Sequence, residues 1–135
     1  MSSSLQFFSE YLDAKEIKYS VEDSNRLSVF LRGDNMSTIR TIFVFGNDGK
    51  DVAIRIFSVA KVPKDKLFKF YFVCSELNSK FRWVKFYVDD DGELTVAHDA
   101  VIDPYTIATE CFELLMRICH IIDQAYPLLM KILWE

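Results

Sequence analysis

One stretch, Asp103 to Tyr126, limits what the rest of the chain can be. At 100° per residue its apolar side chains, from Ile107 and Cys111 through Leu115, Ile118 and Ile122 to Tyr126, spread over roughly 200° of a helix. A surface helix needs a stripe only about 100° wide. The polar residues Thr106, Glu110, Glu113, Arg117, His120 and Gln124 share one narrow band. The pattern predicts a helix opening at Asp103-Pro104, since Asp can cap the first free N–H groups and Pro suits the first helical position. Pro127 is expected to break or kink it, because a helix-interior proline removes a hydrogen bond and clashes with the preceding turn. Leu128 to Trp134 would then form a short separate segment. So wide an arc exceeds what one sheet ordinarily hides. The expectation is that part of it covers a sheet and part meets a second copy across a two-fold axis. Phe112, Leu115, Met116, Cys119 and Ile122 are the candidate dimer interface.

What precedes this stretch reads as an antiparallel sheet with two further helices. Ser3 to Lys15 has helical spacing, and Ser3 with Gln6 fits a capping box. Ile17 to Glu22 reads as a short edge strand. Three strands follow, Arg26–Arg32, Thr38–Phe45 and Val52–Val59, separated by the turn sequences Gly33-Asp34-Asn35 and Asn47-Asp48-Gly49. One face of these strands carries Leu27, Val29, Ile39, Phe43, Ile54 and Ile56. The other mixes Phe30, Arg40, Ile42, Arg55 and Phe57, which makes it neither a clean core nor a clean solvent face. Val62-Pro63 starts a helix over Lys64–Ser79, with Leu67, Phe70, Tyr71, Cys74 and Leu77 at helical spacing. The lysines 61, 64, 66 and 69 at its start oppose the macrodipole, so they do not strengthen that helix. Phe81–Val88, the turn Asp89–Gly92 and Leu94–Val101 form a closing hairpin.

The totals exclude several classes. At 135 residues, half of them hydrophobic and about a quarter charged, the chain is read as one domain, 1–135, able to fold without metal or disulfide. No secretory signal or membrane span is expected: the most apolar stretch, Leu114 to Trp134, carries Arg117, His120, Asp123 and Lys131. Cys74, Cys111 and Cys119 lie in apolar surroundings and read as free thiols in a reducing cytoplasm. Net charge is −4, unevenly spread. Up to Val88 there are 14 Lys and Arg against 10 Asp and Glu, and from Asp89 onward 2 against 10. An acidic C-terminal third argues against nucleic-acid binding, which needs a concentrated positive surface.

Catalytic and metal signatures do not assemble. If Gly92 were the sixth position of a calcium loop, Tyr87 and His98 would fill the first and twelfth, where carboxylates are needed. His98 and Asp99 are strand neighbours and face opposite ways. Glu113 and Arg117 read as a surface ion pair. No Cys–His spacing suits zinc, and there is no Gly-rich phosphate loop and no nucleophile elbow. The expectation is no catalytic residue, no metal and no cofactor.

The final half carries a resemblance. Asn78, the run Phe81-Arg82-Trp83-Val84-Lys85-Phe86-Tyr87-Val88, the turn Asp91-Gly92-Glu93-Leu94 and Asp123-Gln124-Ala125-Tyr126-Pro127 are together similar to the YbjN family of small bacterial proteins. The likeness is good over Pro63 to Trp134 and rests on element order alone before that. It implies an α+β fold like that of type III secretion chaperones, usually dimeric, in a family described as sensory regulators with no catalytic residues to carry over. The motif itself reads as structural: Trp83 supplies buried area, Arg82 points to the opposite face, and Asp91-Gly92 makes the hairpin. The resulting expectation is a non-enzymatic, dimeric protein-binding or regulatory module. Its candidate partner-binding face is Phe30, Arg40, Ile42, Arg55 and Phe57, offered to a protein or peptide. The alternatives are a small-molecule-sensing regulator with a pocket between sheet and helix, and last an enzyme.

Overall fold

In the computed structural model, which describes residues 2–135, the strands form one antiparallel sheet with every helix on the same side. Helix α1 (Ser3–Ala14) is followed by β1 (Tyr19–Asp23), β2 (Arg26–Leu31), β3 (Ile39–Phe45) and β4 (Asp51–Lys61). A single 3-10 turn leads into α2 (Leu67–Lys80). Then come β5 (Lys85–Val88), β6 (Glu93–Ala97), β7 (Ala100–Val101) and α3 (Ile107–Leu133). The spatial order is β1-β2-β3-β4-β6-β5, with β7 pairing the start of β4. The α+β arrangement expected from the sequence, an antiparallel sheet with N-terminal, middle and long C-terminal helices, is the one found.

Register places the apolar alternation where the sequence put it. Leu27, Phe43 and Ile54 stand opposite one another on the helix side. Phe8 of α1 packs on Phe43, with ring centroids 4.8 Å apart, and on the edge of Phe45. Cys119 of α3 touches Thr41, 3.4 Å away. Phe70, Val73 and Leu77 of α2 join the same core. These side chains fill the centre of the layer between sheet and helices, and the space left there, about 290 Å³, lies at its margin between Leu31, Gly33 and Ile39 on the sheet side and Met116 and Asp123 of α3. All three cysteines are buried and free; burial pushes the Cys74 and Cys119 thiols up to about 11 and Cys111 up to about 12.

The last helix departs from expectation in three ways. It starts at Ile107, not Asp103: the Asp103 carboxylate accepts from Tyr105 N–H and its carbonyl from Thr106 N–H, which closes a turn ahead of the helix. It also runs unbroken through Pro127 to Leu133. Pro127 leaves the Asp123 carbonyl without its intrahelical donor, and Asn35 Nδ2 donates to that oxygen instead, at 3.0 Å. The lost bond is replaced from a loop 88 residues away, and the ring sits at the surface.

The third departure concerns the dimer interface. Leu115, Cys119 and Ile122 are buried within their own chain, beneath α1 and against the sheet. Phe112 is half-covered, its ring 5.6 Å from Tyr11 with Lys15 Nζ over it. Met116 alone keeps an open side, 37% exposed. The wide arc is hidden because three partners share it, α1 on one flank, the sheet beneath and α2 on the other. The arithmetic that allowed it only a sheet was incomplete.

Smaller corrections follow from side-chain hydrogen bonds. Ser2, not Ser3, caps α1, its hydroxyl accepting from Leu5 N–H at 3.1 Å. The strand expected from Phe81 begins at Lys85, and Trp83 lies ahead of it, more than half exposed, with φ +74°. The returning strand is interrupted at His98-Asp99. Glu113 and Arg117 form no ion pair; Arg117 Nη1 lies 3.2 Å from His98 Nε2 instead. Lys66 turns away from its own helix and caps another. Its ammonium donates to the carbonyls of Ile132, Leu133 and Glu135, at 3.1, 2.6 and 2.7 Å, where α3 carries its negative pole.

Candidate protein-binding surfaces

The sheet face away from the helices gathers all five residues singled out for partner binding. Phe30 pairs with Arg40 and Ile42 with Arg55 in register, and Phe57 follows Arg55 by two residues on the same strand. Their environments differ. Ile42 is buried, roofed by its neighbours, and belongs to no wider apolar cluster. Arg40 Nη2 lies 2.6 Å from Glu22 Oε1, which also accepts from the Ser28 hydroxyl at 2.5 Å. The Ser28 hydroxyl first, and Arg40 with it, hold the Glu22 carboxyl below its usual range. Arg55 grips Asp99 with both arms of its fork: Nη1 meets Oδ1, and Nη2 meets Oδ2 at 3.2 Å. That pairing lowers Asp99 and raises Arg55. Both cations are already matched, so what the face offers is mainly aromatic: Phe57 and Tyr87 open to solvent, Phe30 half-buried under Lys18.

A second surface was not singled out in the sequence. Helix α2 has two apolar stripes. Phe70, Val73, Cys74 and Leu77 face the core, while Phe68, Tyr71 and Phe72, at i, i+3 and i+4, face outward. Phe68 is 86% and Phe72 65% exposed, and the Phe68 and Tyr71 rings meet edge-on at 6.1 Å. Phe72 lines a shallow groove of about 240 Å³ with Val73, Leu128 and Ile132. Exposed Trp134 follows at the end of α3, between the two residues, Leu133 and Glu135, whose carbonyls hold Lys66. The signal was present in the sequence: Leu67-Phe68 and Phe70-Tyr71-Phe72-Val73, with Lys69 the one polar residue among them, put apolar side chains on more than one side of the first turns.

The histidine and the acidic loops are committed to the fold. His98 is buried on the helix side and Asp99 lies on the open side, as strand alternation requires. Burial first, then the Arg117 charge, hold His98 below its ordinary pKa. Both Asp89 oxygens accept internally, from the N–H groups of Asp91 and Glu93 and from the Thr95 hydroxyl. Among the described residues no helix is long and apolar enough to cross a membrane.

The chain and its fold are similar to known proteins. A family profile described as "Putative bacterial sensory transduction regulator", YbjN, matches residues 4–129. The chain belongs to the YbjN family. The crystal structure of YbjN from E. coli, itself described as "a putative transcription regulator", is similar in fold. Its TM-score is 0.61 at 16% identity over 90% of each chain. The crystal structure of the ExsC–ExsE complex is also similar, with TM-score 0.51 at 12% identity over 90% of this chain and 88% of that one. No curated protein matches the chain.

The residues that carry the YbjN likeness now have physical reasons. Asn78 reaches from α2 to the free edge of β5: its Nδ2 donates to the Phe86 carbonyl and its Oδ1 accepts from Phe86 N–H. One side chain thus closes an edge that would otherwise invite another strand. Gly92, at φ +74°, makes the tight turn of the β5–β6 hairpin. Asp123 clasps the loop after β2, its carboxylate accepting from the N–H groups of Asp34, Asn35 and Met36 at 2.9, 3.0 and 2.8 Å. Its desolvation works against ionisation, but those three donors outweigh it and the carboxyl lies below its usual range. Gly33 is required there, since a Cβ would sit 2.2 Å from Asp123 Oδ1. Asp123 and Pro127 are thus two halves of one device.

Proposed function

We propose that this YbjN-family protein is a non-enzymatic homodimer that binds another protein and regulates it, working in the reducing cytoplasm without nucleic acid, metal or cofactor. The outward aromatic stripe of α2 carries the reading. A helix that already fills a core with Phe70 and Leu77 has no intramolecular use for Phe68, Tyr71 and Phe72 on its other side. A patch of this kind is costly to leave in water and marks an association site. Two copies of the stripe, related by a two-fold axis, bury each other with Leu128 and Trp134 at the margin. Dimerisation through α2 leaves the opposite sheet face free, and Phe30, Phe57 and Tyr87 offer it to a protein segment. The likeness to a structure solved as a complex of two proteins, ExsC with ExsE, agrees with that use. The three buried, undissociated thiols agree with a reducing compartment.

Sedimentation velocity at micromolar concentration tests the association. The wild type is expected to sediment at twice the chain mass. Phe68→Glu with Phe72→Glu is expected to give a folded monomer with an unchanged far-UV spectrum. A monomeric wild type at high micromolar concentration overturns the dimer. A dimer that survives both substitutions moves it off α2.

A further inference from the structure

The four residues between α2 and β5, Phe81 to Val84, hold a strained turn that leaves a large side chain in water. Val84 N–H donates to the Arg82 carbonyl at 2.8 Å, a bond spanning three residues, and Trp83 between them has φ +74°. That combination is the γ-turn with a positive-φ centre, the rarer and strained hand. A side chain at such a φ is unusual outside glycine and asparagine, and a bulky one is an outlier. Strain of this kind persists where the surroundings over-determine it, and it gathers at sites of function. Its effect here is to seat Val84 fully in the core while turning Trp83 outward, 57% exposed.

Two cations attend the indole. The Arg82 guanidinium lies over the ring at 4.8 Å from its centroid and that of Arg117 at 5.6 Å. Neither meets a carboxylate among the described residues, unlike Arg40 and Arg55 on the sheet face. Arg117 is held from behind by buried His98, whose Nε2 is 3.2 Å away, which fixes the fork without neutralising it. Exposed Trp and Arg are the residue types that dominate binding energy at protein interfaces. A guanidinium fork without a partner matches a carboxylate in two-point geometry.

Resting on the protein-binding reading above, we propose that Trp83, Arg82 and Arg117 form a docking site for an acidic peptide segment of the partner protein. The segment's carboxylate lies between the two guanidinium groups and a neighbouring large apolar side chain lies on the indole. The site is a recognition surface, held ready by the strained turn, and the ring gives it affinity while the paired charges give it selectivity.

A random dodecapeptide array probed with the full chain, at low and at moderate salt, tests this. The retained peptides are expected to carry Asp or Glu beside an aromatic or large aliphatic residue, and to be lost as salt rises. Arg82→Glu should abolish the acidic preference. Trp83→Gly should weaken the retained peptides by about thirtyfold or more, the scale of an interface hot spot. It should also leave the melting temperature unchanged or raised, because glycine takes φ +74° without strain. A Trp83 of purely structural use predicts the reverse, a lower melting temperature with binding intact, and that result overturns the site. An absence of acidic bias overturns it too, as does displacement of the peptides by inorganic phosphate at the concentration of free peptide, which would mark an ion site. An acidic preference that survives both substitutions places partner binding elsewhere, the sheet face included. That outcome rejects this site while leaving the regulator reading and the α2 dimer to their own test.

Discussion

Helices α3 and α2 invert the roles their sequences suggest. By composition α3 is the one with too much apolar surface, yet α1, the sheet and α2 hide nearly all of it. Helix α2 looks like a modest amphipathic helix with a basic start, yet it leaves three aromatic side chains in water. The difference lies in position. Helix α3 crosses the middle of the sheet with a helix on each flank, whereas α2 lies over the β5 edge with a neighbour on one side only. Apolar width on a helix therefore measures how many neighbours it needs, and the topology decides whether those neighbours belong to the same chain.

The contrast can be broken by substitution. Leu115→Ala, in the fully buried arc of α3, should cost the monomer about 2–5 kcal/mol by urea denaturation; a cost below about 1 kcal/mol would mean the arc is not sealed. Asn78→Leu should cost about 1–3 kcal/mol, because two backbone groups of Phe86 lose their partner. The exposed β5 edge should also make the protein aggregate on refolding, read by light scattering. Lys66→Met should cost about 1 kcal/mol, since it strips the cation from the negative end of α3. Retained stability there would show that Lys66 does not tie the foot of α2 to the end of α3, and would leave that role to the Lys69–Glu135 ion pair at 3.5 Å. Phe72→Ser should change monomer stability by no more than about 0.5 kcal/mol at concentrations where the protein is dissociated. A large loss would put Phe72 in a core and remove the contrast altogether.

Acid should unlock the clasp on α3 with no such effect on α2. Asp123, Asp89, Asp99 and Glu22 all have folded pKa values below their unfolded ones. Their contribution is present above the ordinary carboxylate pKa near 4 and fades as pH falls through the lower folded values. Melting temperature should therefore drop below about pH 4. Asp123→Asn should lower it at neutral pH and flatten that acid limb, measured by thermal scans from neutral to strongly acidic buffer. A limb of unchanged steepness would show that the Gly33–Met36 loop is held by something other than the carboxylate.

Strand faces, hairpin turns and the order of elements were legible in the residues because they depend on local rules. Period-two alternation put Ile42 and Arg55 on one side and Phe43 and Ile54 on the other, and the register confirmed both. The five sheet-face residues came together for the same reason. The Trp83 turn was not legible: an alternating Phe81–Val88 run reads as strand throughout, and only the need to seat Val84 in the core twists Trp83 out. Pro127 read as a break because a sequence shows the bond a proline removes and not the Asn35 amide that replaces it.

By itself the chain determined its family, its α+β class, the alternation of its strand faces and the residues that build its hairpin turns, all of which follow from neighbours within a few positions. Tertiary structure alone decided which apolar surface remains in water. Burial is a property of the whole packing. The arc of α3 became interior once α1 closed over it, and the stripe of α2 became exterior because, among the described residues, no further element of the chain lies beyond the β5 edge.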